Sequence, residues 1–390
     1  MKPWPYFDEE QIAAAASVLR SGKINYWTGK ECKAFEHEFA AKCDAEYGIA
    51  LANGTLALEL ALKILDIGAG DEVVVTPRSF YASVSCVLTC GATPVFADID
   101  PESQNITAAT IRPVLSSRTK AIIPVHLGGW PCDMDSIMAL AREYDLWVIE
   151  DGAQAHGAAI DGRPVGGHGH LAAFSFCQDK IITTAGEGGM LVTSDPDFWK
   201  RGWSLKDHGK SHDKVHRQDH PPGFRWLHDG VGSNWRMTEL QAALGRIQLR
   251  RLDEWSAKRR RFAAMLSTAF ATLPAFRVTT PPDSVAHAYY RYYVFVRPEE
   301  LKEGWNRDRI MQAVADAGTS CFSGSCSEIY LEHAFDHHPG RPQERLPVAK
   351  ELGETSLAFL VHPTLTDEDM KSTIDNVSAI MAKASRACAA

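Results

Sequence analysis

The chain has 390 residues, a hydrophobic content of 45% with 9% aromatic residues, and a formal net charge of −8. This length and composition predict a soluble globular protein with one large domain and one smaller one. The negative charge argues against nucleic-acid binding, since basic residues are scattered among acidic ones and even the densest patch, residues 251–261, is expected to be one solvated helix face.

The N-terminal residues predict neither a signal peptide nor a membrane span. The stretch MKPWPYFDEE has no charged region followed by an apolar core, and no apolar run approaches the length needed to cross a bilayer. The nine cysteines are an odd number and stand singly, which does not describe a disulfide framework. We therefore expect a protein of the reducing cytoplasm. The cysteines are Cys32, Cys43, Cys86, Cys90, Cys132, Cys177, Cys321, Cys326 and Cys388.

From about residue 35 to residue 195, apolar β-branched runs alternate with helical patterns. This rhythm predicts a mainly parallel sheet covered by helices on both faces. Runs such as EVVVTP, KAIIPVHL and LWVIED agree with it, because strands buried on both faces need not alternate apolar with polar residues. Ligands in such sheets bind beyond the carboxyl ends of the strands, which is where Asp151 falls.

The second half of the chain changes character. Residues 234–270 predict one long helix, or two nearly continuous ones, that joins two domains. A strand (YYRYYVFVRP), a helix (DRIMQAVADAG), a loop-rich stretch and a final helix from about Asp367 follow. We therefore predict a large domain over 1–250, with an N-terminal arm over 1–30, and a small α+β domain over 251–390.

Lys180 and Asp151 are the residues that first indicate chemistry. Lys180 stands between the apolar runs LAAFSF and IITTAGEGGM, and Asp151 closes a strand-like run. Pyridoxal phosphate needs an amine to form a Schiff base with its aldehyde, and a carboxylate that keeps its pyridine nitrogen protonated. The alternatives are a solvated lysine at a strand edge and an aspartate that caps a helix.

Other residues of the same region suit the remainder of such a cofactor. Gly54 and Thr55 come just before an apolar helix, where free backbone N–H groups and the helix dipole favour a phosphate, and Ser175 can add a hydroxyl. Tyr81 follows another strand and can stack on a pyridine ring, although an aromatic residue in this position can also belong to the core. Gln154 lies one turn after Asp151 if a helix begins there, and can donate to the phenolic oxygen of the ring. No metal site is expected, because no CxxC pair or second histidine cluster is present.

At this point the chain resembles the sugar aminotransferases of the DegT/DnrJ/EryC1/StrS group, which are pyridoxal-phosphate enzymes of fold type I. The matching stretches include NGTLALELAL, DEVVVTP, GATPVFADID, VIEDGAQAHGA, FSFCQDKIITTAGEGGMLVTSD and GSNWRMTELQAALGRIQL. They occur in the family's order over residues 20–260. The resemblance implies an α/β fold like that of aspartate aminotransferase, with a mainly parallel sheet in a large domain and a smaller α+β domain at the C-terminus.

The resemblance also implies a role for each candidate residue. Lys180 would be the Schiff-base lysine, Asp151 the partner of the pyridine nitrogen, Gln154 a contact of the ring oxygen, and Tyr81 the stacking aromatic. Gly54, Thr55 and Ser175 would hold the phosphate. In similar enzymes the asparagine that matches Asn234 reaches the phosphate of the neighbouring subunit, which would make the protein a homodimer with shared active sites. Without the resemblance, a helix N-cap is the alternative for Asn234.

We expect an aminotransferase that moves an amino group, with glutamate as the donor, onto the ketone of a nucleotide-linked keto-deoxysugar in surface polysaccharide, O-antigen or glycoside biosynthesis. A cyclitol or another cyclic ketone is an alternative acceptor. A non-catalytic regulatory or scaffold protein with the same fold is a second alternative, which the intact Lys180, Asp151 and Ser175 disfavour. A sister group that dehydrates sugars carries histidine where Lys180 stands.

Two stretches depart from the family's pattern. Members often show Gly-Pro near the first threonine, whereas this chain reads NYWTGKE with Lys30 in that loop. Residues 321–340 are rich in cysteine and histidine, and we expect a loop whose thiols are buried. Neither stretch assigns a substrate.

Overall fold

The computed structural model describes residues 3–386, which form a large sheet, a second sheet and a small three-stranded one. The strands are β1 (Tyr47–Leu51), β2 (Glu72–Val75), β3 (Thr93–Phe96), β4 (Thr119–Ile123), β5 (Trp147–Asp151), β6 (Ala159–Ile160), β7 (Arg163–Pro164), β8 (Leu171–Ser175), β9 (Gly189–Thr193), β10 (Phe276–Arg277), β11 (Val285–Ala286), β12 (Tyr292–Val296), β13 (Cys321–Phe322) and β14 (Ser356–Phe359). The α-helices are α1 (Glu9–Ser21), α2 (Glu31–Lys42), α3 (Gly54–Ile64), α4 (Ala82–Thr89), α5 (Ala108–Ile111), α6 (Met134–Tyr144), α7 (Pro196–Lys206), α8 (His212–His216), α9 (Glu239–Phe270), α10 (Arg307–Asp316), α11 (Pro347–Thr355) and α12 (Asp367–Ala384).

The large sheet has the strand order β1-β9-β8-β5-β4-β2-β3. Strands β3, β2, β4, β5 and β8 run parallel to their neighbours in this series, whereas β9 is antiparallel to both β8 and β1. Side chains of β2 point alternately to two buried cores, with Val73 and Val75 on one face and Val74 on the other. Burial on both faces explains the uninterrupted apolar strands, and the predicted mainly parallel sheet is confirmed.

The second sheet has the order β10-β12-β14-β13 and is antiparallel throughout. One face packs with α10, α12 and the C-terminal half of α9 around a core that includes Phe262, Phe270 and Leu357. The sheet and its helices are the α+β unit that the sequence predicts for the C-terminal part. The long helix α9 connects the two sheets, so the predicted boundary at residue 250 falls inside it, and the division into domains stays a prediction.

The start of α9 differs from the predicted one. The Thr238 side chain accepts a hydrogen bond from the backbone N–H of Gln241 and the Gln241 side chain closes a capping box, so the helix begins at Glu239. The prediction that residues 234–238 belong to the helix is therefore wrong. So is the alternative that Asn234 is a helix cap.

The basic patch at 251–261 is not only a solvated face. Arg259 is buried, where its Nη1 donates to the Tyr289 backbone oxygen over 3.2 Å and its guanidinium lies 5.4 Å from the Trp4 ring centroid. Burial, together with the charge of Arg291, lowers the pKa of Arg259 to about 9. Arg259 lies on the face of α9 that points to the interior, whereas Arg261, two residues later, is exposed and pairs with Asp367.

Three further observations bear on the expectations from composition. In the part of the chain that the structure covers, no helix combines the length and apolarity that a membrane span requires. The cysteines of this part are free, and Cys388 lies outside the described residues. Between residues 3 and 386 there is no group of three or more metal-ligating side chains.

Candidate active site

A cavity of about 690 Å³ opens beyond the carboxyl ends of the parallel strands, between the large sheet and the residues that follow β13. It brings together most of the residues that the sequence singled out, although they come from distant parts of the chain. The predicted residues that line it are Gly54, Thr55, Tyr81, Asp151, Gln154, Ser175 and Lys180.

Asp151 is the last residue of β5 and only 4% exposed. Its Oδ2 accepts a hydrogen bond from Ser83 Oγ over 2.6 Å, and its Oδ1 accepts one from the Ala153 backbone N–H over 3.1 Å. Ser83 Oγ in turn lies 2.8 Å from Ser79 Oγ. The carboxylate is therefore fixed by its neighbours and faces the cavity as an acceptor. No helix follows Asp151, because residues 152–158 form turns, so the alternative of a helix cap is wrong.

Lys180 lies in the loop between β8 and β9 and is half-buried. Its backbone oxygen accepts a hydrogen bond from Trp4 Nε1 over 2.9 Å, and its backbone N–H donates to the Cys177 oxygen over 3.1 Å. Its Nζ lies 4.9 Å from the ring centroid of Tyr290. The amine therefore belongs to the cavity wall, and the alternative of a solvated lysine at a strand edge does not hold.

The N-terminus of α3 forms a cradle against β8. Asn53 caps the helix by accepting from the Leu56 N–H over 2.9 Å, while the first amides of a helix have no partner within it. A Cβ at Gly54 would lie 2.6 Å from Ser175 Cβ, so only glycine allows this approach. Thr55 and Ser175 both line the cavity here. The amides and hydroxyls at the positive end of an eleven-residue helix suit a phosphate.

Gln154 lies in a turn, so no helix begins after Asp151 to place it one helical turn further on. Its side chain nevertheless reaches the cavity. Oε1 accepts a hydrogen bond from the Gly128 backbone N–H over 2.8 Å, which orients the amide and leaves its NH₂ group as the donor.

Two adjacent aromatic residues stand at the start of α4. The Tyr81 ring meets Phe335 edge to face at a centroid distance of 6.4 Å and packs on the core. The Phe80 ring also lines the cavity but is 67% exposed, which is unusual for a phenylalanine. Sequence reasoning missed Phe80, because nothing in the string RSFYAS tells which of two neighbouring rings faces the ligand.

Residues 321–332 supply a wall that the sequence analysis did not assign. Gly324, Ser325, Cys326 and Glu332 line the cavity, held there by a backbone hydrogen bond of 3.0 Å from Ser79 N–H to the Cys326 oxygen. The expectation that the thiols of this stretch are buried holds for Cys321 but is wrong for Cys326, which is exposed.

His156 lies beneath the cavity and packs among aromatic rings. Its ring centroid is 6.3 Å from that of Phe39, 5.4 Å from Phe174 and 5.6 Å from Phe176. Burial lowers the pKa of His156 to about 3, and the charge of Lys180 acts in the same direction. The imidazole is therefore neutral at physiological pH.

Asn234 is the one predicted residue that does not line this cavity. It is exposed, and its backbone bridges to that of Asp207, which directly follows α7. The segment before it, residues 217–231, carries apolar side chains in solvent. Phe224 and Trp226 are each 81% exposed.

The residues of the cavity fit pyridoxal phosphate. The cradle that a Cβ at Gly54 would fill can take the phosphate, the fixed Asp151 carboxylate can meet a ring nitrogen, and the Lys180 amine lines the same cavity. These are the donors and acceptors that the cofactor requires, in a single cavity of suitable volume.

Comparison with known proteins agrees with this geometry. The model of the DegT/DnrJ/EryC1/StrS aminotransferase family matches residues 5–378. The chain is 37% identical over 382 residues to GDP-perosamine synthase of Caulobacter vibrioides, covering 94% of this chain and 97% of the relative. It is 34% identical over 377 residues to the spore coat polysaccharide biosynthesis protein SpsC of Bacillus subtilis, covering 97% and 96%. An aminotransferase from Psychrobacter cryohalolentis, solved by X-ray crystallography, has a TM-score of 0.97 and 54% identity, with 98% of this chain and 99% of that chain covered.

Proposed function

Since the chain belongs to the DegT/DnrJ/EryC1/StrS aminotransferase family and is a pyridoxal-phosphate-dependent aminotransferase of fold type I, we propose that it transfers an amino group from glutamate to the ketone of a nucleotide-linked keto-deoxysugar. The family match and the similar structures confirm the predictions of family, fold class, enzyme class and cofactor. The similarity to an enzyme named for a GDP-linked product, and to a protein named for polysaccharide biosynthesis, supports a nucleotide sugar as the acceptor and surface polysaccharide or glycoside synthesis as its use.

The observation that carries the proposal is that Lys180 and Asp151 line one cavity with the phosphate cradle of α3. Pyridoxal phosphate, when bound, supplies an aldehyde for an amine and a ring that withdraws electrons. Lys180 would hold the cofactor covalently through Nζ, and the free Nζ is the group that would take the proton from the donor's α-carbon and return it. The negative charge of Asp151 would keep the ring nitrogen protonated, and Ser83 and Ala153 hold the carboxylate in place.

The other lining residues bind and orient. Gly54, Thr55 and Ser175 hold the phosphate, and the Gln154 amide donates to the phenolic oxygen of the ring. Tyr81 is the aromatic that the family resemblance assigns to ring stacking, and the exposed Phe80 ring beside it is equally placed for that contact.

The proposed enzyme is a homodimer with shared active sites. The side chains that line the cavity include one cationic group, the Lys180 amine, beside several carboxylates, whereas the cofactor phosphate, glutamate and a nucleotide diphosphate are all anions. The carboxylates are Asp151, Asp179, Glu187 and Glu332. Cations and donors from a second copy would complete the site, and the exposed Asn234, with Phe224 and Trp226 nearby in solvent, suits such an approach.

A panel of acceptors tests the substrate. The purified enzyme would be loaded with cofactor and incubated with glutamate or glutamine and, in turn, with nucleotide-linked keto-deoxysugars and with cyclitol ketones. We expect amino-sugar nucleotide to form with glutamate, measured by mass spectrometry of the product and by the 2-oxoglutarate released. Turnover with cyclitol ketones alone would refute the nucleotide-sugar proposal and favour the alternative acceptor class.

A further inference from the structure

A hydrogen bond joins the lysine loop to the second sheet. The Tyr290 hydroxyl donates to Oδ2 of Asp179, the residue that directly precedes Lys180. Tyr290 itself is buried just before β12, and Arg291 Nη2 lies 3.4 Å from the same Asp179 oxygen. Two residues next to β12 therefore hold the side chain adjacent to the reacting amine.

The surroundings of Tyr290 and Asp179 determine their charge states. Burial raises the pKa of the Tyr290 hydroxyl, and the Asp179 carboxylate raises it further, so the hydroxyl keeps its proton and donates. Burial also acts to raise the pKa of Asp179, but the charge of Lys180, the Tyr290 hydrogen bond and Arg291 outweigh it and the pKa is lowered. Asp179 is therefore ionised across the neutral range.

The Tyr290 ring meets cations on this wall. Lys180 Nζ lies 4.9 Å from its centroid and the Arg291 guanidinium 4.4 Å from it. An ammonium within about 6 Å of an aromatic ring is attracted by the ring's negative face. A carboxylate held in place by the same tyrosine adds a second attraction for the protonated amine.

We infer that Asp179 and Tyr290 form a positioning pair that keeps the Lys180 amine, whenever it is not attached to the cofactor, against the Tyr290 ring and beside the reacting centre. Asp179 supplies the charge, the Tyr290 ring supplies the surface, and the Tyr290 hydroxyl fixes the direction of the carboxylate. The inference rests on the proposed role of Lys180 as the amine that leaves and rejoins the cofactor. The family resemblance assigns no role to Asp179 or Tyr290, so the pair is an additional requirement for the reaction.

Other groups face the amine and set the background against which the pair acts. Asp151, Glu187 and Cys177 line the same cavity, and the neutral His156 packs against Phe174 of the cavity wall. Arg291 opposes the effect of Asp179 because it shares the carboxylate. Among these groups only Asp179 both directly precedes Lys180 in the chain and accepts a hydrogen bond from the hydroxyl of Tyr290, whose ring the amine approaches.

The test measures the proton affinity of Lys180 directly. Cofactor-free protein would be treated with an amine-acylating reagent over a range of pH, and modification of the Lys180 peptide would be followed by mass spectrometry. Loss of the Asp179 charge in Asp179→Asn should lower the midpoint of this pH profile. Tyr290→Phe should lower it less, because the ring stays, and Tyr290→Leu should lower it more than Tyr290→Phe.

A double variant separates positioning from mere proximity. If the hydroxyl acts through Asp179, Tyr290→Phe should add nothing in the Asp179→Asn background. Asp253→Asn is the matched control, since it removes one negative charge from a surface pair with Lys42 and should leave the profile unchanged. A Lys180 profile that is the same in Asp179→Asn, Tyr290→Phe and the control would overturn the positioning pair. The proposed function fails on a different result, which is turnover by Lys180→Ala.

Discussion

The indole Nε1 of Trp4 donates a hydrogen bond of 2.9 Å to the backbone oxygen of Lys180, although the two residues are 176 positions apart in the chain. The Trp4 ring also meets Trp255 edge to face at 5.2 Å and stacks on His362 at 6.1 Å. The N-terminal arm is thus anchored between α9 and the second sheet, and its anchor holds the loop that carries the amine.

Trp4→Phe should weaken this anchor while keeping an aromatic ring in place. We expect a loss of about 1 kcal/mol in the free energy of unfolding, the usual contribution of one hydrogen bond, and a lower kcat because the lysine loop is less restrained. Urea unfolding and steady-state rates measure the two effects. Trp305→Phe, whose ring contacts Arg309 away from the cavity, is the control. Equal effects of the two substitutions on kcat would contradict the role of the anchor.

Lys180→Ala should abolish turnover, because it removes both the amine that attaches to the cofactor and the group that moves the proton. Cofactor can still bind through the phosphate cradle. Borohydride reduction of the loaded wild-type protein should add the cofactor's mass to the Lys180 peptide, and no covalent adduct should form in the variant. Wild-type-like turnover of Lys180→Ala would refute the central role of this residue.

Asp151→Asn should leave the fold intact and slow the reaction by at least about 100-fold, comparable to the loss of one strong electrostatic contact in an active site. A neutral amide does not keep a pyridine nitrogen protonated as a carboxylate does. Ser83→Ala should cost less, because the carboxylate remains and loses only one of its two hydrogen bonds. Single-turnover rates with glutamate measure both. An unchanged rate in Asp151→Asn would mean that another residue meets the ring nitrogen.

Asn234→Ala tests the shared site. We expect weaker cofactor affinity, because the amide of one subunit is proposed to reach the phosphate in the other. In a mixture with Lys180→Ala, heterodimers should have one site with both lesions and one with neither, so activity should return. Subunit exchange would be verified by native mass spectrometry. If exchange occurs and activity stays absent, the asparagine acts within its own chain.

The free energy of unfolding should fall as the pH is lowered through the range of histidine titration. Burial, helped by nearby cations, lowers the pKa of His156, His287 and His362 to about 3. An unfolded histidine titrates near 6.5, so below that pH the unfolded state binds protons that the folded state does not, and stability decreases. Each histidine contributes a slope of about 1.4 kcal/mol per pH unit.

Removal of one buried imidazole isolates this effect. His156→Phe in the cofactor-free protein should reduce the slope by about 1.4 kcal/mol per pH unit between about pH 6 and pH 5, as followed by urea unfolding. His333→Phe is the control, because that side chain is fully exposed. The same slope in wild type and His156→Phe would contradict the assignment of a neutral buried histidine.

The sequence predicted the large sheet well because its strands are buried on both faces, and uninterrupted apolar runs separated by helical patterns describe little else. The final helix begins at Asp367 as expected, since Thr366 provides an N-cap. The turn after Asp151 is not apparent from the sequence, because a single downstream glutamine does not distinguish a turn from a first helical turn. The burial of Arg259 was missed because the sequence shows a run of charges but not which member faces the core.

The residues of the site also form two groups, those that the sequence predicts and those that only the structure reveals. Lys180, Asp151 and the α3 cradle follow from residue types at strand and helix ends, which sheet topology places at one edge. Cys326 and Glu332 come from a segment far along the chain whose approach depends on how the second sheet packs. Such contacts have no local pattern, so only the structure associates these residues with the cavity.

The attachment of residues 321–332 to the large sheet has a consequence for how new specificities arise. Two contacts that hold this wall, from Ser79 N–H to the Cys326 oxygen and from Ile329 N–H to the Pro77 oxygen, are backbone to backbone, while Ile329 and Tyr330 pack in the core. None of these contacts uses the side chains of Cys326 and Glu332, which line the cavity. The cavity-lining positions of this wall can therefore change while the chemistry at Lys180 stays intact, which makes them suitable positions to exchange when an aminotransferase is engineered to take a different acceptor.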